Sequence, residues 1–179
     1  MKADLETQRW YAIYTRANHE KRVAVHLAHL GVENYLPLYK TLRQWSDRRM
    51  TVELPLFPGY LFARTALKDR LPILQTPGVV RLVGARGQPT ALDGEQIERL
   101  RSGLGSVPAE PFPRIPVGQR VRIIAGPLRG LEGVLLRRKP GLRVVISIEL
   151  IQRSFVADID SGDLTPIYDT AGTESHVIR

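Results

Sequence analysis

The chain of 179 residues contains no cysteine. That absence excludes a disulfide framework, a zinc ribbon and a thiol nucleophile. Long apolar runs are missing too: no stretch approaches the roughly 18 residues needed to span a bilayer. The opening MKADLETQRW lacks the apolar segment of a secretory signal, so a cytoplasmic protein with no membrane partner is expected. Walker and G-x-G-x-x-G loops, paired carboxylates at a catalytic motif and a nucleophile elbow are all absent. No enzyme, no cofactor and no metal are therefore expected. Acidic residues are the scarcer charge, 18 against 26 Lys and Arg, for a net +8. Residues 1–104 hold 16 basic and 10 acidic side chains and residues 105–179 hold 10 and 8, so the excess lies mostly in the first half. Such an excess suits an anionic partner, nucleic acid first, and it equally serves solubility alone.

Prolines gather in GLGSVPAEPFPRIPVG (103–118), which has four of them and little periodicity. This reads as a linker between domains. The expected division is a first domain over 1–104, a flexible linker over 105–116, a second domain over 117–167 and a loose tail over 168–179. In the first domain WYAIYTR (10–16) reads as a strand. ANHEKRVAVHLAHLG (17–31) reads as a helix with a Val23, Leu27, Leu30 stripe and a stop at Gly31. VENYLPLYKTLRQW (32–45) and MTVELPLFPGYLFAR (50–64) read as hairpin partners around the polar SDRR. A short helix over 67–74 and a strand GVVRLVG (78–84) follow. DGEQIERLRSGL (93–104) then opens with Asp93 and Gln96 in capping-box spacing and turns Ile97, Leu100 and Leu104 inward. The order β-α-β-β-α-β-α predicts a ferredoxin-like α+β sandwich with its helices on one sheet face. Beyond the linker, QRVRIIAG, GVLLRRK, LRVVISIEL, SFVADI and LTPI are short strands separated by GPLRGLEG, KPG and DSGD. They predict a small SH3-like β-barrel.

Within PLFPGYLF (55–62), unbroken alternation would put Leu56, Tyr60 and Phe62 on one face and Phe57, Leu61 and Ala63 on the other. Trp10, Ala12 and Tyr14 share a parity on the first strand. A sheet covered by helices on one side needs a single apolar face, so a second one calls for a partner. Ordinary core packing of these aromatics is the competing reading. His19, Arg22, His26 and His29, spaced 3, 4 and 3, share a helical face, and Arg16 ends the preceding strand at the same edge. Imidazole and guanidinium can hydrogen-bond phosphates and base edges. A solvated helix face explains the same pattern. A metal site is disfavoured because no carboxylate sits at ligand spacing. Arg43, Arg48 and Arg49 surround Trp45 at the hairpin tip, where the ring either stacks on a base or folds back onto its own strands.

WYAIYTRANHEKRVAVHL, ELPLFPGYLF, QTPGVVRLVG, VGQRVRIIAGPLRGLEGVL and ISIELIQRSFVADI, in that order across residues 9–167, resemble the NusG family of transcription elongation factors. The resemblance implies an N-terminal (NGN) domain that docks on RNA polymerase and a KOW barrel that recruits another factor, in a monomer. YKTLRQWSDRRMTVELPLFPGYLF is similar to the hairpin of specialised RfaH-type members; a housekeeping NusG-type factor is the alternative. By motif match the resemblance places Tyr14, Phe57, Tyr60 and Phe62 against the clamp helices of the polymerase β′ subunit. DRLPI (69–73) aligns loosely with the segment that meets the β gate loop. Bridging both would suppress pausing or termination without chemistry. Arg16, Arg22, His26 and His29 match the surface that reads non-template DNA in RfaH-type proteins, with His19 on the same face by periodicity only. The tip arginines match an upstream-DNA contact.

In the barrel, Ile151, and more weakly Phe155, match the apical hydrophobic that docks a small-subunit ribosomal protein or the Rho terminator. Gln152 stands where the housekeeping pattern has glycine, a departure that bears on loop shape and so on Rho. RfaH-type barrels can refold as helices. Here VVISI and VRII are rich in β-branched residues, so strands are expected. A ribosome- or RNA-binding KOW protein is a reading from another class, and it leaves the N-terminal motifs without a use.

Overall fold

The computed structural model describes residues 5–44, 49–112, 118–137, 142–148 and 151–167. Strand β1 (Arg9–Thr15) leads into helix α1 (Glu20–His29), which Gly31 ends in the left-handed region at φ +73°. The expected hairpin then divides in two. Its root forms β2 (Asn34–Tyr35) and β5 (Tyr60–Thr65); its outer part forms a separate two-stranded ribbon of β3 (Leu38–Gln44) and β4 (Arg49–Pro55). The breaks fall at Pro37 and at Pro55–Gly59, where missing N–H groups interrupt a ladder. A short helix α2 (Leu71–Gln75), strand β6 (Val79–Leu82), the small pair β7 (Gly84–Ala85) and β8 (Gln88–Pro89), and helix α3 (Gly94–Gly103) complete the domain. The main sheet runs β2-β5-β1-β6, antiparallel throughout, as the ferredoxin-like α+β sandwich requires.

Both faces of this sheet are apolar, because alternate residues of β1 and β5 are hydrophobic in both parities. Tyr11, Ile13, Leu61 and Ala63 face α1 and α2 and pack on Val23, Leu27 and Ile73. Trp10, Ala12 and Phe62 face the other way and meet Ile97 and Leu100 of α3 and Leu104 just beyond it. The helices thus lie on two faces, not one. Asp93 caps α3, its Oδ1 accepting the Glu95 N–H at 2.9 Å. The helix is fixed to the sheet by the Trp10 Nε1 bond to Glu98 (3.2 Å) and by the Tyr35 hydroxyl donating to the Leu100 carbonyl (3.2 Å). Burial pushes the Tyr35 hydroxyl well above its usual range, keeping it a donor. At the rim Glu33 bridges Arg101 (2.6 Å) and Arg64 (3.5 Å). The hydrogen bond from Arg101 chiefly holds its carboxyl below the usual range.

The second domain is all β. β10 (Arg120–Ile123), β11 (Glu132–Arg137), β12 (Leu142–Ile148), β13 (Arg153–Asp158) and β14 (Leu164–Pro166) realise the five expected strands. A sixth strand, β9 (Ala109–Phe112), comes from the stretch read as linker and pairs with β13, giving the order β14-β10-β11-β12-β13-β9. Four prolines hid this strand. It lies at a sheet edge, where an imino acid such as Pro111 is tolerated. Residues 120–166 are strand-rich, in line with their β-branched content, and carry no α-helix among the described residues.

The barrel sits on the second face of the first domain. One apolar cluster joins Trp10, Leu56, Phe57, Phe62 and Leu100 to Val121, Ile123, Leu128, Ile146, Ile151 and Phe155. Arg99 donates to the Gly130 carbonyl across the junction (3.2 Å). Gly103, at the end of α3, lies so close to the barrel that a Cβ there would run into the Pro127 carbonyl oxygen and the Leu128 side chain. Its φ of −106° suits any residue, so the constraint is purely one of space. Gly103→Ala is expected to open the junction while leaving both domains folded. Small-angle scattering should show a larger radius of gyration with unchanged far-UV circular dichroism; an unchanged radius would mean the barrel absorbs the methyl group.

Candidate docking surface

The surface is organised by a single turn. The Tyr60 N–H donates to the Phe57 carbonyl at 2.9 Å, closing a four-residue turn over FPGY. Pro58 fixes the second position and Gly59, at φ +84°, fills the third, the pattern of a type II turn. On either side the backbone is pinned: the Leu56 N–H donates to the Pro37 carbonyl and the Thr15 N–H to the Gly59 carbonyl, both at 2.9 Å. The buried N–H of Gly59, the third residue of the turn, goes to Glu20 Oε1 at 2.7 Å.

This turn corrects the alternation expected for PLFPGYLF. Parity does not carry across a turn, so Phe57 does not face away from Phe62. The two rings meet edge to face, centroids 6.0 Å apart, with Phe57 1% and Phe62 0% exposed. On its other side Phe57 meets Phe155 of the barrel at 5.9 Å, again edge to face. Tyr14 and Tyr60, opposite each other across β1 and β5, are half-buried with centroids 5.2 Å apart. Arg81 lies over the Tyr14 ring at 5.6 Å and Arg153 over the Tyr60 ring at 5.5 Å. Tyr14, Phe57, Tyr60 and Phe62 are therefore brought together, beneath or beside the barrel.

Ile151 and Phe155 lie on the same contact from the other side. Both are buried, 4% and 0% exposed, in the apolar cluster that the two domains share, rather than turned to solvent. Gln152, at φ +50°, adopts the left-handed conformation that a glycine takes freely. Holding a non-glycine there costs about 1–2 kcal/mol. The turn is kept, and the adjoining Arg153 is carried over Tyr60.

The basic stripe divides. Arg16, Arg22, His26 and His29 are exposed along one edge of α1 and the end of β1. His19 is half-buried, its ring packed toward Gly78 and its Nδ1 2.9 Å from the Ala17 carbonyl. Lying just outside the helix, it does not continue the stripe as spacing implied. Arg43 and Arg49 are exposed on the ribbon, which α1 steadies where Lys21 Nζ donates to the Glu53 carbonyl at 2.7 Å. Arg43 pairs with Met50 and Arg49 with Gln44, so the two arginines point to opposite ribbon faces. Arg48 and Trp45 lie outside the described residues. Among the described residues no cluster of His, Asp and Glu could hold a metal ion. No helix there is long and apolar enough to cross a membrane. Glu20, Arg81, Arg99 and Arg153 have no signal in the sequence, since each meets a partner distant along the chain.

A family model described as transcription termination factor nusG matches residues 8–101, more than half of the chain and all of the candidate surface on the first domain. The chain belongs to the NusG family. Two relatives, both described as transcription termination/antitermination protein NusG, agree along most of their length. That of Lactococcus lactis is 27% identical over 175 residues, covering 89% of this chain and 94% of its own. That of Deinococcus radiodurans is 28% identical over 183 residues, covering 84% and 95%. A solved structure described as domain interaction in Thermotoga maritima NusG shares the fold, with a TM-score of 0.55 and 23% identity over 90% of this chain and 98% of that one. Membership of the NusG family makes the chain a non-enzymatic transcription factor.

The two kinds of aromatic in the surface should separate by stability. Phe62→Ala should lower the unfolding free energy by about 3–5 kcal/mol, as for other buried phenylalanines. Tyr60→Ala, losing a half-exposed ring, should cost about 1 kcal/mol. Urea denaturation of the two variants checks both.

Proposed function

We propose that the chain is a transcription elongation and antitermination factor whose first domain docks on the RNA polymerase clamp through Tyr14, Phe57, Tyr60 and Phe62. The observation that carries this is the second apolar sheet face, whose aromatic end is closed by a separate domain instead of by the sheet's own helices. A face closed by a detachable domain can be shared with another protein. Exposed Arg16, Arg22, His26 and His29, at the end of β1 and along α1, supply the non-template DNA contact, with half-buried His19 the weakest of the set; Arg43 and Arg49 of the ribbon, with Arg48 next to Arg49 in the sequence, supply an upstream-DNA contact. The β gate loop is a further polymerase contact, and suppression of pausing or termination follows from holding one polymerase conformation.

Ile151 and Phe155 of the barrel form the surface for a ribosomal protein or Rho. Because Phe155 and Phe57 cover each other and Ile151 is buried in the same cluster, neither surface is open in the closed form. Binding polymerase and recruiting the second factor then both require the barrel to leave. The name of the Thermotoga maritima structure, which speaks of a domain interaction in that protein, fits such a closed state. The RfaH-like ribbon favours a specialised member over a housekeeping one.

Binding of the full chain to core polymerase tests the reading. Gly103→Ala should bind more tightly than the unaltered chain, and adding Tyr60→Ala should remove the gain. Equal affinity for all three would overturn it. On a paused elongation complex, Arg22→Ala with His26→Ala should weaken binding and flatten its salt dependence; unchanged binding at low and moderate salt would exclude the DNA role.

A further inference from the structure

The FPGY turn is held by two neighbours in α1. Glu20 accepts the Gly59 N–H at 2.7 Å, although the two lie 39 residues apart, and Lys21 donates to the Glu53 carbonyl at 2.7 Å. Glu20 is 5% exposed, a carboxylate buried in the first turn of a helix. Its position is a favourable one for negative charge, because the unpaired N–H groups of a helix start face it. Between these two anchors run Leu54, Pro55, Leu56, Phe57 and Pro58, and two of the five residues have no N–H of their own.

A four-residue turn leaves the N–H of its third residue without a partner inside the turn. Type I and type II turns differ by a flip of the central peptide, here the Pro58–Gly59 peptide. The flip reverses the direction of the Gly59 N–H. A buried acceptor aligned with that N–H in one state and not in the other selects between them. We infer that Glu20 is the positioning residue of the docking surface: its carboxylate holds the FPGY turn in the type II state and thereby fixes where Phe57 and Tyr60 stand. Lys21 fixes the other end of the segment. Without the carboxylate the Gly59 N–H is buried and unpaired, and the turn relaxes toward conformations that satisfy it with water. The Phe57–Phe155 contact and the place of Arg153 over Tyr60 both depend on this turn, so Glu20 acts on the closed barrel and on polymerase docking through one peptide. The second consequence rests on the docking reading given above.

The test uses the full chain with Glu20→Ala, Glu20→Asp and Glu20→Gln. Alanine removes the acceptor; aspartate keeps the charge but falls a methylene short; glutamine keeps an oxygen acceptor at full reach. Hydrogen exchange at the Gly59 amide should accelerate about tenfold or more in Glu20→Ala and Glu20→Asp, the size expected for losing a hydrogen bond to a charged group. It should stay near the unaltered rate in Glu20→Gln. Polymerase affinity of the Gly103→Ala chain should fall with the first two substitutions and be restored by the third. Rescue by Gln but not by Asp is not expected of a carboxylate serving only the helix charge. Gly59 exchange unchanged in Glu20→Asp would overturn the inference, and that variant decides it if Glu20→Ala does not fold. If polymerase binding is insensitive even to Tyr60→Ala, the docking reading fails, and Gly59 exchange alone decides the role of Glu20.

Discussion

Phe57 stands between two phenylalanines that belong to different domains, edge to face with Phe62 on one side and with Phe155 on the other. Each such contact adds about 0.5–1.5 kcal/mol to the burial of the rings themselves. The ring reaches this position because the chain turns at Pro58–Gly59 immediately after it. Straight β-structure would have sent Phe57 to the opposite side of the sheet from Phe62. The closed arrangement of the molecule therefore depends on one turn, and the turn on a glycine that accepts a positive φ and a glutamate that accepts its N–H.

The barrel contact falls on Ile151 and Phe155, two residues that the sequence marks for another role. Ile151 and Phe155 close over the first domain, and the same side chains are the ones whose motif points to an outside partner. Arg153 and Arg99 add polar contacts at the periphery, over the Tyr60 ring and to the Gly130 carbonyl. Such contacts are water-accessible and individually modest, so the junction combines a small dry centre with a weak rim.

Charge is arranged separately from this apolar system. α1 buries Val23 and Leu27, holds the turn with Glu20 and the ribbon with Lys21, and leaves Arg22, His26 and His29 in solvent. One ten-residue helix thus positions the apolar surface with its first turn and presents the basic edge with its outer face. The ribbon carries Arg43 and Arg49, both exposed, on a two-stranded sheet separate from the main one.

Local periodicity was enough to reveal β1, α1, α3 and the five barrel strands, because each has a hydrophobic repeat of its own and clear stop signals at its ends. The ferredoxin-like and barrel folds follow from the order of those elements, and the motifs around FPGY and GPLRGLEG identify the family. What a single strand's pattern cannot contain is its relation to distant chain. Proline content concealed β9, whose ladder partner β13 supplies what its own sequence lacks. Period-two counting misassigned Phe57, since a turn resets parity. His19 matched the helical spacing of the basic stripe but sits before the helix begins. Glu20 reads locally as an ordinary acidic helix start, and only the fold brings it to Gly59. Local composition is sufficient to say which residues are apolar, where the chain must bend and which elements form. Which apolar face meets which emerges only in the folded chain, because that pairing rests on contacts between residues tens of positions apart that no local pattern encodes.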